Sequence, residues 1–197
     1  MFRVIEFTIV FVLVFIFNAH SQRYSFELLD KVEANYETWT SKISSGYSLS
    51  NSVGLGDING DGFNDIAVSG IGVQGDSLRL VFICFLDSNG SVKDTVLIPY
   101  NSNQFVNKYS LQYSDSYFGW NLTNIGDIDD DGINDLVISA PEDSINFHPK
   151  AGSLCLVRLN SDGSIKGDEK IGFQNGGFLE GGRFQRFGTS VASIGDI

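Results

Sequence analysis

Asn124-Ile125-Gly126-Asp127-Ile128-Asp129-Asp130-Asp131-Gly132-Ile133-Asn134-Asp135-Leu136-Val137-Ile138-Ser139 is an acidic, glycine-containing loop that runs into an apolar stretch. The same pattern stands upstream as Gly54-Leu55-Gly56-Asp57-Ile58-Asn59-Gly60-Asp61-Gly62-Phe63-Asn64-Asp65-Ile66-Ala67-Val68-Ser69. A third copy opens as Ser193-Ile194-Gly195-Asp196-Ile197, where the sequence stops at residue 197. Asp57 and Asp127 are 70 positions apart, and Asp127 and Asp196 are 69 apart. Self-similarity at a fixed period marks a stacked-repeat architecture.

The similarity continues between the loops. Phe85-Leu86-Asp87-Ser88-Asn89-Gly90-Ser91-Val92-Lys93 matches Arg158-Leu159-Asn160-Ser161-Asp162-Gly163-Ser164-Ile165-Lys166. Asn-Gly or Asp-Gly between two apolar runs is a hairpin signal. It predicts strands Leu78–Leu86 and Ser153–Leu159 entering the turns, and Val92–Ile98 and Ser164–Ile171 leaving them. Each repeat then reads as strand, acidic loop, strand and hairpin, with no helical period outside the first residues. Four strands per unit, repeated in series, predict an all-β fold: a partial β-propeller of four-stranded antiparallel blades. A lone blade cannot bury both faces and needs neighbours. The expected organisation is a leader at 1–21, an N-terminal strand segment at 22–46, repeat 1 at 47–116, repeat 2 at 117–185 and the start of repeat 3 at 186–197. Because the sequence stops inside the third acidic loop, the intact protein is expected to continue.

The loops carry the chemistry. Asp-x-Asx-x-Asp-Gly-x-x-Asp places oxygen ligands on alternate residues: Asp57, Asn59, Asp61 and Asp65, then Asp127, Asp129, Asp131 and Asp135. Phe63 and Ile133 would add backbone carbonyls, and Asp196 would open a third site. Such a set suits calcium, a hard cation taking about six to eight oxygens. An EF-hand begins alike but closes with a glutamate at its twelfth position between helices. Here that position is Val68 or Ile138, inside an apolar run, so the site is strand–loop–strand. The alternative is a solvated Asp/Gly turn that binds nothing, which one loop alone would leave open. Two loops in register and the start of a third favour calcium. No His, Cys or Ser nucleophile stands nearby in sequence, which points to a structural ion.

The rest of the composition narrows the setting. A net charge of −11 repels phosphate backbones and argues against nucleic acid. Arg3, the apolar run Phe7–Phe17 and Ala19-His20-Ser21 predict a signal peptide cleaved after Ser21, with the run too short to span a bilayer comfortably. No membrane span is expected in this stretch of chain. Cys84 and Cys155 could pair in an exported protein, but both lie within apolar strand patterns of different repeats, which favours buried free thiols. Asn89-Gly90-Ser91 and Asn121-Leu122-Thr123 match the N-glycosylation pattern, the first in a turn and the second in an inner strand. His148, before Pro149, has no metal-ligand spacing and reads as a surface residue.

Phe118-Gly119, then Ile125 to Gly132, then Ser139-Ala140-Pro141 resembles the full signature of FG-GAP repeats, the units of the integrin α-subunit propeller. Phe187-Gly188-Thr189-Ser190-Val191-Ala192-Ser193-Ile194-Gly195-Asp196 resembles its opening half. The resemblance covers roughly residues 47–197, and the long hairpins look closer to bacterial-type secreted members. Phe118 and Phe187 are expected in the core, with Gly119 and Gly188 allowing close strand approach. Repeat 1 departs from the signature: Ser48-Leu49 replaces Phe-Gly and Ser69-Gly70-Ile71 replaces Ala-Pro, which puts its inner strand in question.

The resemblance implies an extracellular or cell-surface module for adhesion or recognition, binding a protein or glycan ligand on the face away from the calcium loops. The stretches Asn101 to Tyr113 and Gln174 to Arg183, rich in Asn, Gln, Tyr, Gly and Phe, are candidate recognition loops or ordinary solvated ones. The resemblance also admits an accessory propeller of a secreted hydrolase, or a structural spacer. The sequence supplies no nucleophile motif and no catalytic zinc pattern, so the chain itself is read as a non-enzyme.

Overall fold

The computed structural model describes residues 47–72, 79–98, 116–145, 148–172 and 184–195. The expected leader, residues 22–46 and both candidate recognition stretches lie outside them. The elements are eight strands: β1 (Tyr47–Gly56), β2 (Asp65–Gly72), β3 (Arg79–Leu86), β4 (Val92–Ile98), β5 (Leu122–Gly126), β6 (Asp135–Ala140), β7 (Ser153–Leu159) and β8 (Ile165–Gly172). They form two four-stranded antiparallel sheets, each in sequence order. Among the described residues no helix is long and apolar enough to cross a membrane.

The predicted hairpin strands match to within a residue. Gly90 and Gly163 close the turns, each at φ 75° and donating its N–H to the carbonyl of Asp87 or Asn160. Only a residue tolerant of positive φ fits there. Before each acidic loop the first strand carries a bulge: the pairing steps from Gly54↔Ile66 to Gly56↔Asp65, and from Asn124↔Leu136 to Gly126↔Asp135. Gly56 and Gly126 take φ 77° and 80° there. Such a bulge re-aims the chain, here out of the sheet and into the loop.

The sheets share one core. Ala67, Val81, Ile83 and Phe85 of the first sheet cluster with Leu136, Ile138, Ala140, Cys155, Val157 and Leu159 of the second. Val68, Phe82 and Cys84, which alternate with the first set along β2 and β3, form a separate cluster with Val92 on the opposite face. Cys84 and Cys155 are both buried free thiols, and burial pushes each up to about 12.

The Phe-Gly turn lies between the sheets. Phe118 is buried, and a Cβ on Gly119 would sit 3.0 Å from Ser69 Cβ and 3.2 Å from Val81 Cγ2 of the first sheet. A Cβ on Gly188 would repeat the arrangement one sheet later, 2.8 Å from Leu154 Cδ2 and 3.3 Å from Ser139 Cβ. Phe187, expected in the core like Phe118, is only half-buried, and it bridges to Gly152. Hydrogen bonds follow the same seams. Asn51 Nδ2 donates to Trp120 O (3.3 Å), Asn124 Nδ2 to Gly54 O (2.9 Å) and Asn134 Nδ2 to Leu55 O (2.7 Å). Trp120 Nε1 in turn donates to Thr189 O (3.2 Å), and Thr123 Oγ1 to Val191 O (3.0 Å).

Two expectations need adjusting. The inner strand of repeat 1 is present, and at ten residues it is longer than the five of β5. Without the Phe-Gly turn, Ser48 and Leu49 stay extended and pair with Ile71 and Gly70. Asn121 stands just before β5 rather than in it, donating its N–H to Ser139 Oγ (2.8 Å).

Candidate metal centre

Each acidic loop hangs on its last carboxylate. Asp65 is fully buried at the start of β2, and both its oxygens accept backbone N–H groups, from Ile58 (3.2 Å) and Leu86 (3.1 Å). Asp135 does the same at the start of β6, accepting from Ile128 and Leu159, both at 3.1 Å. The ninth position of the loop is thus tied both to the loop's own start and to the end of the third strand. Burial holds the Asp65 and Asp135 carboxyls above the usual carboxylate range; the backbone N–H groups oppose this and the neighbouring loop aspartates add to it.

The first carboxylate folds the loop. Asp57 accepts the N–H groups of Asp61 (3.0 Å) and Gly62 (2.8 Å), and Asp127 accepts those of Asp131 (3.0 Å) and Gly132 (2.7 Å). Gly62 and Gly132 have φ 92° and 87°, as the turn expected there requires. The fifth-position carboxylate accepts two residues on: Phe63 N–H donates to Asp61 Oδ1 (3.1 Å) and Ile133 N–H to Asp131 Oδ1 (2.8 Å). The first and fifth side chains of each loop are thereby bonded to the loop's own backbone.

In the second loop three of the four expected side chains come together, Asp131 not among them. One oxygen each from Asp127, Asp129 and Asp135 lie within 4.8 Å of one another, the one such acidic trio among the described residues. Asp129 Oδ1 is buried and has no hydrogen-bond partner. Three carboxylates so close repel one another unless a cation stands between them. In the first loop Asn59 takes the place of Asp129, so the corresponding set holds one carboxylate fewer. Asp196 and Ile197, where a third acidic loop is expected, lie outside the described residues.

A lysine stands at each loop, and the sequence pattern did not single either out. Lys166 Nζ lies 2.8 Å from Asp129 Oδ2 and 2.6 Å from Asp131 Oδ2. Lys93 Nζ lies 3.1 Å from Asp61 Oδ2. The hydrogen bond from Lys166, with that from Ile133 N–H, holds the Asp131 carboxyl below the usual range, and the paired carboxylates raise the Lys166 ammonium. Asp61 is also held low: a desolvation contribution is outweighed by hydrogen bonds from Lys93, Phe63 N–H and Asn59. The available signal was their shared register, each lysine second in its strand after the turn.

A second charged group lies outside the loops. Asp143 and Lys170 are buried as an ion pair at 2.5 Å, and Ser153 Oγ donates to Asp143 Oδ2 at 2.6 Å. Ion pairs this deep are held by their mutual geometry, and removing one partner strands the other charge. No protein-family model matches the chain, and no curated protein matches it.

Proposed function

We propose that the chain is part of an extracellular calcium-stabilised β-propeller of FG-GAP-like blades that serves adhesion or recognition. The observation that carries the calcium reading is the convergence of Asp127, Asp129 and Asp135, with an unpartnered Asp129 oxygen, in a loop repeated in register at Asp57 to Asp65. The blade reading is supported by two like sheets in meander order that share a core, with the first strands β1 and β5 in contact. That arrangement suits blades set radially around an axis. The signature residues Phe118-Gly119 at the seam between the sheets support the family resemblance.

Asp127, Asp129, Asp131 and Asp135 would hold the ion with the carbonyl of Ile133, and Asp57, Asn59, Asp61 and Asp65 with that of Phe63. Bound calcium would cancel the repulsion among the carboxylates. The chain's own part is to hold the loop in shape: Asp135 and Asp65 tie it to the third strand, and the ligand residues curl around the first aspartate. The role is structural, and the ligand, a protein or a glycan, would be met by the stretches 101–113 and 174–183.

The test is thermal melting of the full chain with and without calcium. Extracellular modules bind at roughly 10⁻⁴ to 10⁻³ M. About 10 mM calcium would then stabilise the fold by about 1.4–2.7 kcal/mol per site. Magnesium, which keeps its water shell, should do less. An unchanged melting temperature in calcium would overturn the reading.

A further inference from the structure

Resting on the calcium reading above, we infer that Lys166 and Lys93 are tethered counter-ions: each competes with the metal for the loop carboxylates and thereby sets the affinity of its loop. The position is built by the fold. Asp135 pins the loop to Leu159 N–H, and Leu159 is the last residue of β7 before the turn. The hairpin then brings β8 back, and Lys166, its second residue, extends over the loop. Asp65, Leu86, β4 and Lys93 repeat this in the first sheet.

The contested atoms can be named. Asp131 has two oxygens; Oδ1 accepts Ile133 N–H and Oδ2 accepts Lys166. Lys166 also holds Oδ2 of Asp129, a member of the converging trio. A cation using Asp129 and Asp131 must share them with the ammonium or displace it. Displacement is feasible because the Lys166 side chain is 39 % exposed and can swing into water. A divalent ion attracts the carboxylates more strongly than one ammonium, so it prevails once concentrated enough. At low calcium the lysine offsets the repulsion and keeps the blade folded.

The two loops are graded. Lys166 engages two carboxylates, whereas Lys93 engages Asp61 alone. The extra aspartate of the second loop is thus matched by a tighter lysine, which narrows the difference in affinity that Asn59 against Asp129 would otherwise produce.

Calcium titration calorimetry on the full chain tests this, with Lys166→Met, Lys93→Met and Lys150→Met compared with the parent. Lys150 pairs with Glu142 beyond the opposite end of β6 and controls for net charge. Lys166→Met should tighten binding about 3–10-fold, as expected for a unit charge removed near a partly screened site. Lys93→Met should tighten it less, and Lys150→Met should leave it unchanged. Lys166→Met should also melt lower than the parent in chelator. Should Lys166→Met not fold, Lys166→Gln is to show the same tightening. Parent-like or weaker binding in the Lys166 variants, or equal tightening in Lys150→Met, overturns the inference while calcium binding stands. No calcium binding in the parent or any lysine variant overturns both.

Discussion

In the first loop Asn59 is satisfied internally: its Oδ1 accepts Asp61 N–H at 2.9 Å and its Nδ2 donates to Asp61 Oδ2 at 3.2 Å. In the second loop the same place holds Asp129, with one oxygen on Lys166 and the other unpartnered. The backbone bonds of the loops are otherwise the same, pair for pair, from the first carboxylate to the ninth. The difference separates two duties that the shared motif merges. Positions one and nine shape the loop with hydrogen bonds to the backbone, whatever ion is present. Position three sets how much positive charge the loop calls for.

The largest expected effect lies in the shaping residues and should be equal in both loops. Asp65→Ala and Asp135→Ala each leave two backbone N–H groups without their acceptor, and each should cost about 2–4 kcal/mol by chemical denaturation. The loss should appear in chelator as well as in calcium. If either loss vanishes in chelator, that aspartate serves the ion alone and the division of duties fails.

Exchanging position three is the next test. Asn59→Asp should tighten calcium binding at the first loop, and Asp129→Asn should weaken it at the second, each by about tenfold. Calorimetry on the two single variants reads this directly. Effects in the same direction in both would show that position three acts through folding rather than through charge.

The smallest effect concerns acid. The Asp131 carboxyl is held below its ordinary 3.8 by Lys166 and Ile133 N–H, so its folded form favours the ionised state. A lowered carboxyl stabilises the fold above its ordinary value and loses that contribution as pH falls through the folded value. In chelator, Asp131→Asn should therefore melt slightly below the parent at pH 7 and level with it well below 3.8. Asp135 has the opposite sign, because burial raises it and protonation relieves a cost. A gap between Asp131→Asn and the parent that persists in acid would assign Asp131 a packing role instead.

The strands and turns were legible because each has a local cause: Asn-Gly and Asp-Gly turns, β-branched runs, and a spacing that repeats. The acidic trio of Asp127, Asp129 and Asp135 was legible for the same reason, since one short segment supplies it. Lys93 and Lys166 were harder to read as partners, because they meet Asp61 and Asp131 across 32 and 35 residues. The Asp143–Lys170 pair is also non-local, joining the β6–β7 connection to the far end of β8. The inner strand of repeat 1 looked doubtful because the signature residues are missing. Extended pairing needs only a partner strand, and β2 supplies it.

The Phe-Gly turn at 118–119 lies against Ser69 and Val81 of the preceding sheet, and the bonds at Asn51, Asn124 and Asn134 cross the same boundary. The motif that marks the start of one repeat is therefore also the mortar of the one before, and the courses overlap like brickwork. Duplication or exchange of this chain would be clean at cuts that carry the overlap along with the sheet. A graft that followed the edges of a sheet alone would cut each joint in half. The unit that could be exchanged is then offset from the visible sheet, and its ends belong where few bonds cross.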